Sequence, residues 1–133
     1  MRILIAEDER DIRELIVFTL REVAGFDVHE AINGIDVLEK APQVMPDLVL
    51  MDVRMPKMNG YEACEKMKQD PALRDIPVVF LSAKGQESEI KTGLKMGAEA
   101  YILKPFSPDE LIGQVQMIMK QVQARRARNK ATH

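Results

Sequence analysis

Short aliphatic runs alternate along the chain with longer stretches in which apolar residues recur every three or four positions. The short runs are rich in Ile, Val and Leu, which is typical of strands buried on both faces of a parallel sheet. They predict strands at residues 2–6, 27–31, 47–52, 76–81 and 100–103. Because strands that alternate with helices form right-handed βαβ units, the pattern predicts a single doubly wound α/β domain.

The stretches between the strands have the apolar spacing of amphipathic helices and end at residues that commonly stop a helix. Five helices are predicted: one from Ile12 to a stop at Gly25, one from Ile35 that closes before Pro42, one between Asn59-Gly60 and Pro71, one from Ile90 to a stop at Gly97, and one that begins at Ser107-Pro108 and continues past Val122 into the basic tail. The last helix begins with a capping box, because Glu110 stands three residues after Ser107.

Polar side chains stand where four of the five runs stop. Glu7 and Asp8 follow the first run, Asp52 follows the third, Ser82 the fourth and Lys104 the fifth. Ligands bind to open parallel sheets at the carboxyl ends of the strands. We therefore expect these side chains to gather at one edge of the sheet, although they are far apart in the sequence.

The three carboxylates indicate a site for a divalent cation. Adjacent acids before a helix are also common as helix caps, and this alternative stays open for Glu7 and Asp8. A carboxylate that directly follows a buried strand, as Asp52 does, is costly unless something pairs with it. Clustered carboxylates repel one another unless a cation lies among them, and hard oxygen ligands with free coordination positions suit Mg²⁺.

Ser82 and Lys104 add two groups that can bind phosphate oxygens. Each has an ordinary interpretation by itself, a turn hydroxyl for Ser82 and a solvated surface lysine for Lys104. Beside the carboxylates, however, an ammonium and a hydroxyl can hold the oxygens of a transferring phosphoryl group. A carboxylate nucleophile, a metal, a lysine and a hydroxyl together predict an aspartyl phosphate.

The composition is that of one ordinary globular domain, with 133 residues of which 46% are apolar and 30% are charged. No apolar run approaches the ~18 residues of a membrane span. The N-terminus begins directly on a predicted strand with no signal peptide, so we expect a cytoplasmic location without membrane contact. The single Cys64 excludes an intrachain disulfide and a thiolate metal cage, and we interpret it as a small helix residue.

Charge is unevenly distributed along the chain. The net charge is −2, but residues 120–133 hold five basic and no acidic side chains, which leaves −7 on residues 1–119. An acidic body argues against direct nucleic-acid binding by this domain. We interpret the basic stretch as a solvated helix end or the start of a linker, with contact to nucleic acid as the alternative.

Five stretches carry a resemblance to the receiver domain of response regulators in two-component signalling, including its chemotaxis members. They are residues 3–9 (ILIAEDE), 48–52 (LVLMD), 55–60 (MPKMNG), 80–84 (FLSAK) and 97–106 (GAEAYILKPF). The resemblance covers residues 1–122 and implies a flavodoxin-like fold, in which five helices flank a five-stranded parallel sheet of order 2-1-3-4-5. Residues 123–133 would then be a basic C-terminal tail or the start of a linker.

The same resemblance implies a role for each residue of the predicted site. Asp52 would accept a phosphoryl group from the phosphohistidine of a sensor histidine kinase or histidine phosphotransfer protein. The implied Mg²⁺ ligands are Asp8, Asp52 and the main-chain carbonyl of Arg54, with Glu7 acting largely through water. The implied phosphate ligands are Lys104, Ser82 and the backbone amide of Ala83. We therefore expect a phosphorylation-activated switch with weak self-catalysed phosphorylation and dephosphorylation, and not a metabolic enzyme.

Phosphorylation is expected to act by shifting a conformational equilibrium. A phosphoryl group adds about −1.5 to −2 charge, so an arrangement that brings Lys104 and Ser82 closer to it gains population. The resemblance implies that Tyr101 then rotates inward, that the Lys104-Pro105 bond is cis, and that helix 4, strand 5 and helix 5 form the output face. That face would contact a downstream protein, a fused output domain or a second copy around Ile90, Leu94, Tyr101 and Leu111.

Other functions were compared with the phosphorylation switch. Residues 105–108 and 110–111 resemble winged-helix regulators, so the chain could be the receiver portion of a longer DNA-binding transcriptional regulator, although Gln114 stands where that class usually has arginine. A metal-dependent phosphatase would have a second acid in place of Arg54, and a nucleotide-binding domain would have a Gly-rich first turn. A degenerate receiver is disfavoured because every phosphorylation residue is present. The basic residues Arg54 and Lys84 could alter the lifetime of the phosphoryl group.

Overall fold

The computed structural model describes residues 1–83 and 87–131 and contains a five-stranded parallel sheet. The strands are β1 (Arg2–Ala6), β2 (Asp27–Ala31), β3 (Leu48–Asp52), β4 (Val78–Ala83) and β5 (Ala100–Lys104). Their order is β2-β1-β3-β4-β5, which confirms the predicted flavodoxin-like arrangement. The direction in which strands are added reverses between β1 and β3, and ligands bind beside such a point at the carboxyl edge.

Helices flank the sheet. They are α1 (Arg10–Phe18), α2 (Gly34–Val44), α3 (Gly60–Gln69), α4 (Glu87–Lys95) and α5 (Pro108–Ala131). A π-helical turn, Thr19–Val23, continues α1 before the chain turns at Gly25. The predicted cap of α5 is confirmed, because the N–H of Glu110 donates to Ser107 Oγ at 3.1 Å. Within the described part of the chain, every helix is too short or too polar to cross a bilayer.

Alternate residues of the central strands face two separate hydrophobic clusters. In β1, Ile3 and Ile5 join the cluster that contains the buried stripe of α5, whereas Leu4 joins the cluster that contains α3 and the buried Cys64. A strand that is buried on both faces has no solvated position along its length. Charged side chains are therefore tolerated chiefly at the strand ends, and this is where the functional candidates lie.

The fourth strand lies two residues later than the predicted range of 76–81, which is corrected to Val78–Ala83. Ser82 and Ala83 lie inside β4, where their backbones pair with β5. Pro77 precedes the strand and contributes only its carbonyl to the sheet, because proline has no N–H to donate. Main-chain pairing does not depend on side-chain polarity, so β4 continues beyond the end of its apolar run. For the same reason β5 extends through Lys104.

The prediction that the second helix closes before Pro42 is wrong, because α2 continues to Val44. Pro42 stands in the last turn, where its missing N–H removes a single helical hydrogen bond. The helix ends instead at Met45, which has a φ of 48° and whose N–H donates to the Ala41 carbonyl at 2.8 Å. The guanidinium of Arg2 also binds the Val44 carbonyl at 3.1 Å, which stabilises this added turn.

Candidate functional site

A close ion pair joins the ends of β3 and β5. The Lys104 ammonium donates to Asp52 Oδ2 at 2.7 Å and lies 3.8 Å from Glu7 Oε1. Burial by itself would lower the pKa of Lys104, but the hydrogen bond from Lys104 to Asp52 and the negative charge of Asp52 outweigh burial, so the pKa is raised. The lysine is therefore a fixed positive charge that directly faces the buried Asp52 carboxylate.

Glu7, Asp8 and Asp52 form a compact acidic cluster, in which one oxygen from each carboxylate lies within 4.8 Å of the others. Glu7 is fully buried, and among the described residues neither of its carboxylate oxygens has a hydrogen-bond partner. Burial, together with the neighbouring Asp52, raises the pKa of Glu7 to about 9. A buried ionised carboxylate is unfavourable without a partner, so this arrangement calls for either a proton or a cation.

This set of oxygen donors fits a hard divalent cation such as Mg²⁺. A cation between the carboxylates would relieve their mutual repulsion and would give the orphaned oxygens of Glu7 a partner. The Arg54 N–H donates to Asp52 Oδ1 at 3.3 Å, which fixes the backbone beside the cluster. The metal-binding role expected for the Arg54 carbonyl stays a prediction. Lys84, the second basic residue expected nearby, lies outside the described residues.

Ser82 and Ala83 complete the site from the end of β4. Both line the open depression that also contains the Lys104–Asp52 ion pair. The residues around this depression are Asp8, Glu9, Asp52, Val53, Arg54, Leu81, Ser82, Ala83 and Lys104. The structure therefore brings together the carboxylates, hydroxyl and amine that the sequence predicts at one edge of the sheet. The individual chemical roles of these residues stay predictions.

Tyr101 does not line this depression and instead contacts α4. Its ring centroid lies 5.5 Å from that of Phe80, and its hydroxyl occupies the space that a side chain at Gly93 would need. A glycine at this position is therefore what allows the half-buried tyrosine to lie against the helix. The Lys104-Pro105 bond that follows the same strand is cis, as the resemblance implies.

The predicted partner face is corrected at one position. Leu94 is exposed, but Leu111 is buried, because it faces the core from the first turn of α5. Two exposed apolar side chains, Leu103 of β5 and Met117 of α5, were not included in the predicted face. Met117 was missed because it stands next to a core position of the helix. Leu103 was missed because it belongs to an apolar run that predicts a strand. The side chain of Ile90 lies outside the described residues.

Two residues that support the acidic cluster were not recognised from the sequence. Arg13 donates to the Glu7 carbonyl at 2.8 Å, although nothing in its local sequence distinguishes it from other helix arginines. Gly60 begins α3 as predicted, but it has a second role, because a Cβ there would overlap the main-chain carbonyl of Asp52. Such contacts between distant segments have no local signature in a sequence.

Residues 3–116 match the family model described as the response regulator receiver domain. The phosphate regulon transcriptional regulatory protein PhoB of Escherichia coli is 40% identical over 121 residues, which cover 91% of this chain and 52% of PhoB. The DNA-binding dual master transcriptional regulator RpaA of Synechocystis is 37% identical over 119 residues, which cover 90% of this chain and 49% of RpaA. The chain thus spans about half the length of the curated relatives it matches.

The structure of another response regulator is also similar to this chain in both fold and sequence. The chemotaxis response regulator CheY4 of Vibrio cholerae has a TM-score of 0.82 and 28% identity to this chain, and the match covers 88% of this chain and 97% of that one. The family model matches most of the chain, and the five-stranded sheet has the order predicted for this family. The chain belongs to the response regulator receiver domain family and is a receiver domain of two-component signalling.

Proposed function

We propose that this receiver is a phosphorylation-activated switch whose phosphoacceptor is Asp52. The observation that supports this most directly is the 2.7 Å contact between Lys104 and the buried Asp52 carboxylate, inside a cluster of three acids. The ammonium holds one oxygen of Asp52 in a fixed direction through a charge-assisted hydrogen bond. A carboxylate oriented by a neighbouring ammonium has the properties of a nucleophile for phosphoryl transfer.

In the proposed reaction, an Asp52 oxygen attacks the phosphorus of a phosphohistidine, the P–N bond breaks, and the released imidazole nitrogen takes up a proton. Lys104 then exchanges its contact with Asp52 for a phosphate oxygen, and Ser82 and the Ala83 amide bind the others. Asp8, Asp52 and the Arg54 carbonyl would hold Mg²⁺, with Glu7 acting largely through water. The cation would supply charge neutralisation for the phosphoryl group.

Receiver domains of response regulators interact with histidine kinases and output domains. We assign a sensor histidine kinase or histidine phosphotransfer protein as the phosphoryl donor, and a downstream protein or fused domain as the receiver of the signal. The receiver would act in the cytoplasm and would catalyse its own phosphorylation and dephosphorylation only weakly. The proposed output face comprises α4, β5 and α5, and two copies of the chain could form a homodimer through it.

A second candidate function is the receiver portion of a longer DNA-binding transcriptional regulator. It is favoured by PhoB and RpaA, which are named as transcriptional regulators and of which this chain covers about half. We place the receiver at residues 1–122 and treat residues 123–133 as a basic tail or linker. Arg125 of this tail donates to Glu99 at 2.6 Å, so its first part packs on the receiver. The sequence of the full-length gene would distinguish the two candidates, because a winged-helix segment after this chain would support the longer regulator.

Uptake of a phosphoryl group from acetyl phosphate is expected to require Mg²⁺. Without a cation, the incoming phosphate would face the negative charge of the acidic cluster and be repelled. Intact-mass measurement should show one added phosphoryl group with Mg²⁺ and a decrease in uptake of at least about tenfold with excess chelator. As the control, Mg²⁺ added back in excess of the chelator, in calcium-free buffer, should restore uptake. Equal uptake with and without metal would contradict the proposed cation site.

Replacing Gly93 with alanine is expected to displace Tyr101 from α4 without preventing phosphoryl uptake. The added Cβ would overlap the tyrosine hydroxyl and would lie 2.8 Å from Phe80 Cδ2, so the ring must move or the helix must shift. Overpacking of this kind destabilises a protein by about 1–3 kcal/mol. Fluorine NMR of 3-fluorotyrosine protein reports the change directly, because the chain has 2 tyrosines and Tyr61 serves as the internal reference.

The matched control for this substitution is Gly113→Ala, because a Cβ at Gly113 meets no atom within 4 Å among the described residues. It should leave both tyrosine resonances unchanged and should increase helix stability by up to about 1 kcal/mol. An unchanged Tyr101 resonance in the Gly93→Ala protein would contradict the steric coupling between this glycine and the proposed switch residue.

A further inference from the structure

Arg13 of α1 reaches back to the turn that carries the two consecutive acids of the cluster. Its Nη1 donates to the main-chain carbonyl of Glu7 at 2.8 Å and to that of Asp8 at 3.4 Å. Its Nε lies 3.4 Å from Glu30 Oε1 of β2, and only 16% of the side chain is exposed. One guanidinium group therefore connects α1, the turn after β1, and the neighbouring strand β2.

The same turn is held from its other side by the sheet. The N–H of Glu7 donates to the Ala31 carbonyl at 3.1 Å, and the carbonyl of Glu7 accepts from Arg13. Both main-chain groups of Glu7 are thus fixed, and with them the direction in which its buried side chain enters the acidic cluster. Like charges within this acidic cluster repel one another whenever no cation neutralises them, and this repulsion acts to open the cluster. The contacts of Arg13 oppose that opening.

We infer that Arg13 is a positioning residue for the cation site, which holds Glu7 and Asp8 so that their carboxylates are arranged for the ion in advance. This inference rests on the proposed function of the acidic cluster as a Mg²⁺ site. Arginine suits the task because its rigid planar fork can bind two carbonyls and a carboxylate together, whereas a lysine ammonium is a single point charge. Groups that orient metal ligands without touching the metal typically change metal affinity by about 10- to 100-fold when removed.

A positioning role and a purely electrostatic role predict opposite results. Arg13 is a cation beside the backbone of two acids, so its charge by itself weakens the attraction of a second cation to the cluster. If charge were its main contribution, Arg13→Gln would bind Mg²⁺ more tightly than wild type. If it positions the turn, the same variant binds Mg²⁺ more weakly even though a repelling charge has been removed.

The experiment compares the Mg²⁺ affinity of the whole chain in wild type, Arg13→Gln, Arg13→Lys and Arg10→Gln by amide NMR titration. Arg10 lies on the same helix, where it is exposed and pairs with Glu14, so its substitution removes one charge without touching the turn. We expect Arg13→Gln to raise the Kd about tenfold, Arg13→Lys to raise it less, and Arg10→Gln not to raise it. In metal-free protein, the amides of Asp8 and Glu9 should exchange faster in Arg13→Gln than in wild type.

A folded Arg13→Gln protein that binds Mg²⁺ as tightly as wild type, or more tightly, overturns the inference. Equal weakening in Arg10→Gln also overturns it, because a variant that leaves the contact with the turn intact would then have the same effect. Should the glutamine variant not fold, Arg13→Lys tests the contact alone because it keeps the charge, and a Kd equal to that of wild type would then overturn the inference. Wild type that binds no Mg²⁺ overturns both the inference and the proposed site. Wild type that binds Mg²⁺ but accepts no phosphoryl group contradicts the proposed function and leaves the role of Arg13 supported.

Discussion

The Asp52→Asn protein is expected to take up no phosphoryl group from acetyl phosphate under Mg²⁺ conditions in which wild type takes up one. The carboxamide has the shape of the carboxylate but lacks the anionic oxygen that would attack phosphorus. The substitution removes the charged hydrogen bond from Lys104 at 2.7 Å and also relieves repulsion within the acidic cluster. Because these effects oppose each other, the free energy of unfolding should change by no more than about 1–2 kcal/mol.

Intact mass with and without acetyl phosphate measures the uptake, and denaturant unfolding measures the stability. Asp109→Asn is the matched control, because Asp109 is an exposed acid at the start of α5 and lies away from the site. It should take up a phosphoryl group as wild type does. Uptake by a folded Asp52→Asn protein would show that another side chain is phosphorylated, and the mechanism built on the Lys104–Asp52 pair would then be wrong.

The arrangement of the site could be predicted because each side chain directly follows or ends an apolar run that forms a strand. Asp52 and Lys104 are separated by 52 residues, yet a parallel sheet places both at its carboxyl edge, where they meet at 2.7 Å. Apolar runs that alternate with helices predict a parallel sheet with right-handed connections, whereas the strand order was implied by the resemblance to receiver domains. The chemistry of the cluster then follows from which polar residue types end the strands.

What the sequence could not reveal depends on contacts between distant segments. The continuation of β4 through Ser82 depends on main-chain pairing with β5, which has no side-chain signature. The burial of Leu111 follows from which stripe of α5 faces the sheet. The overlap between Gly93 and Tyr101 and the reach of Arg13 to the Glu7 carbonyl are properties of packing. We expect the contact between Gly93 and Tyr101 to affect the switch, and the contact between Arg13 and Glu7 to affect the cation site.

The metal-free protein is expected to lose stability as the pH rises from about 5 to about 9, and Glu7→Gln is expected to remove most of this loss. Burial beside Asp52 raises the pKa of Glu7 from 4.5 to about 9 in the folded protein. Between these values the folded state retains a proton that the unfolded state has released. Stability is therefore fully present below the lower pKa and declines, by up to about 1.4 kcal/mol per pH unit, until the upper one.

Chemical denaturation with excess chelator, at several values of pH, measures this dependence for wild type, Glu7→Gln and the exposed control Glu65→Gln. A glutamine at position 7 carries no titrating proton, so its curve should be flatter than that of wild type, whereas Glu65→Gln should follow wild type. Saturating Mg²⁺ should also flatten the wild-type curve, because the ion favours the ionised carboxylate and displaces the proton. Parallel curves for wild type and Glu7→Gln would mean that Glu7 is ionised in the metal-free cluster, and that Lys104, 3.8 Å away, is sufficient to stabilise its charge.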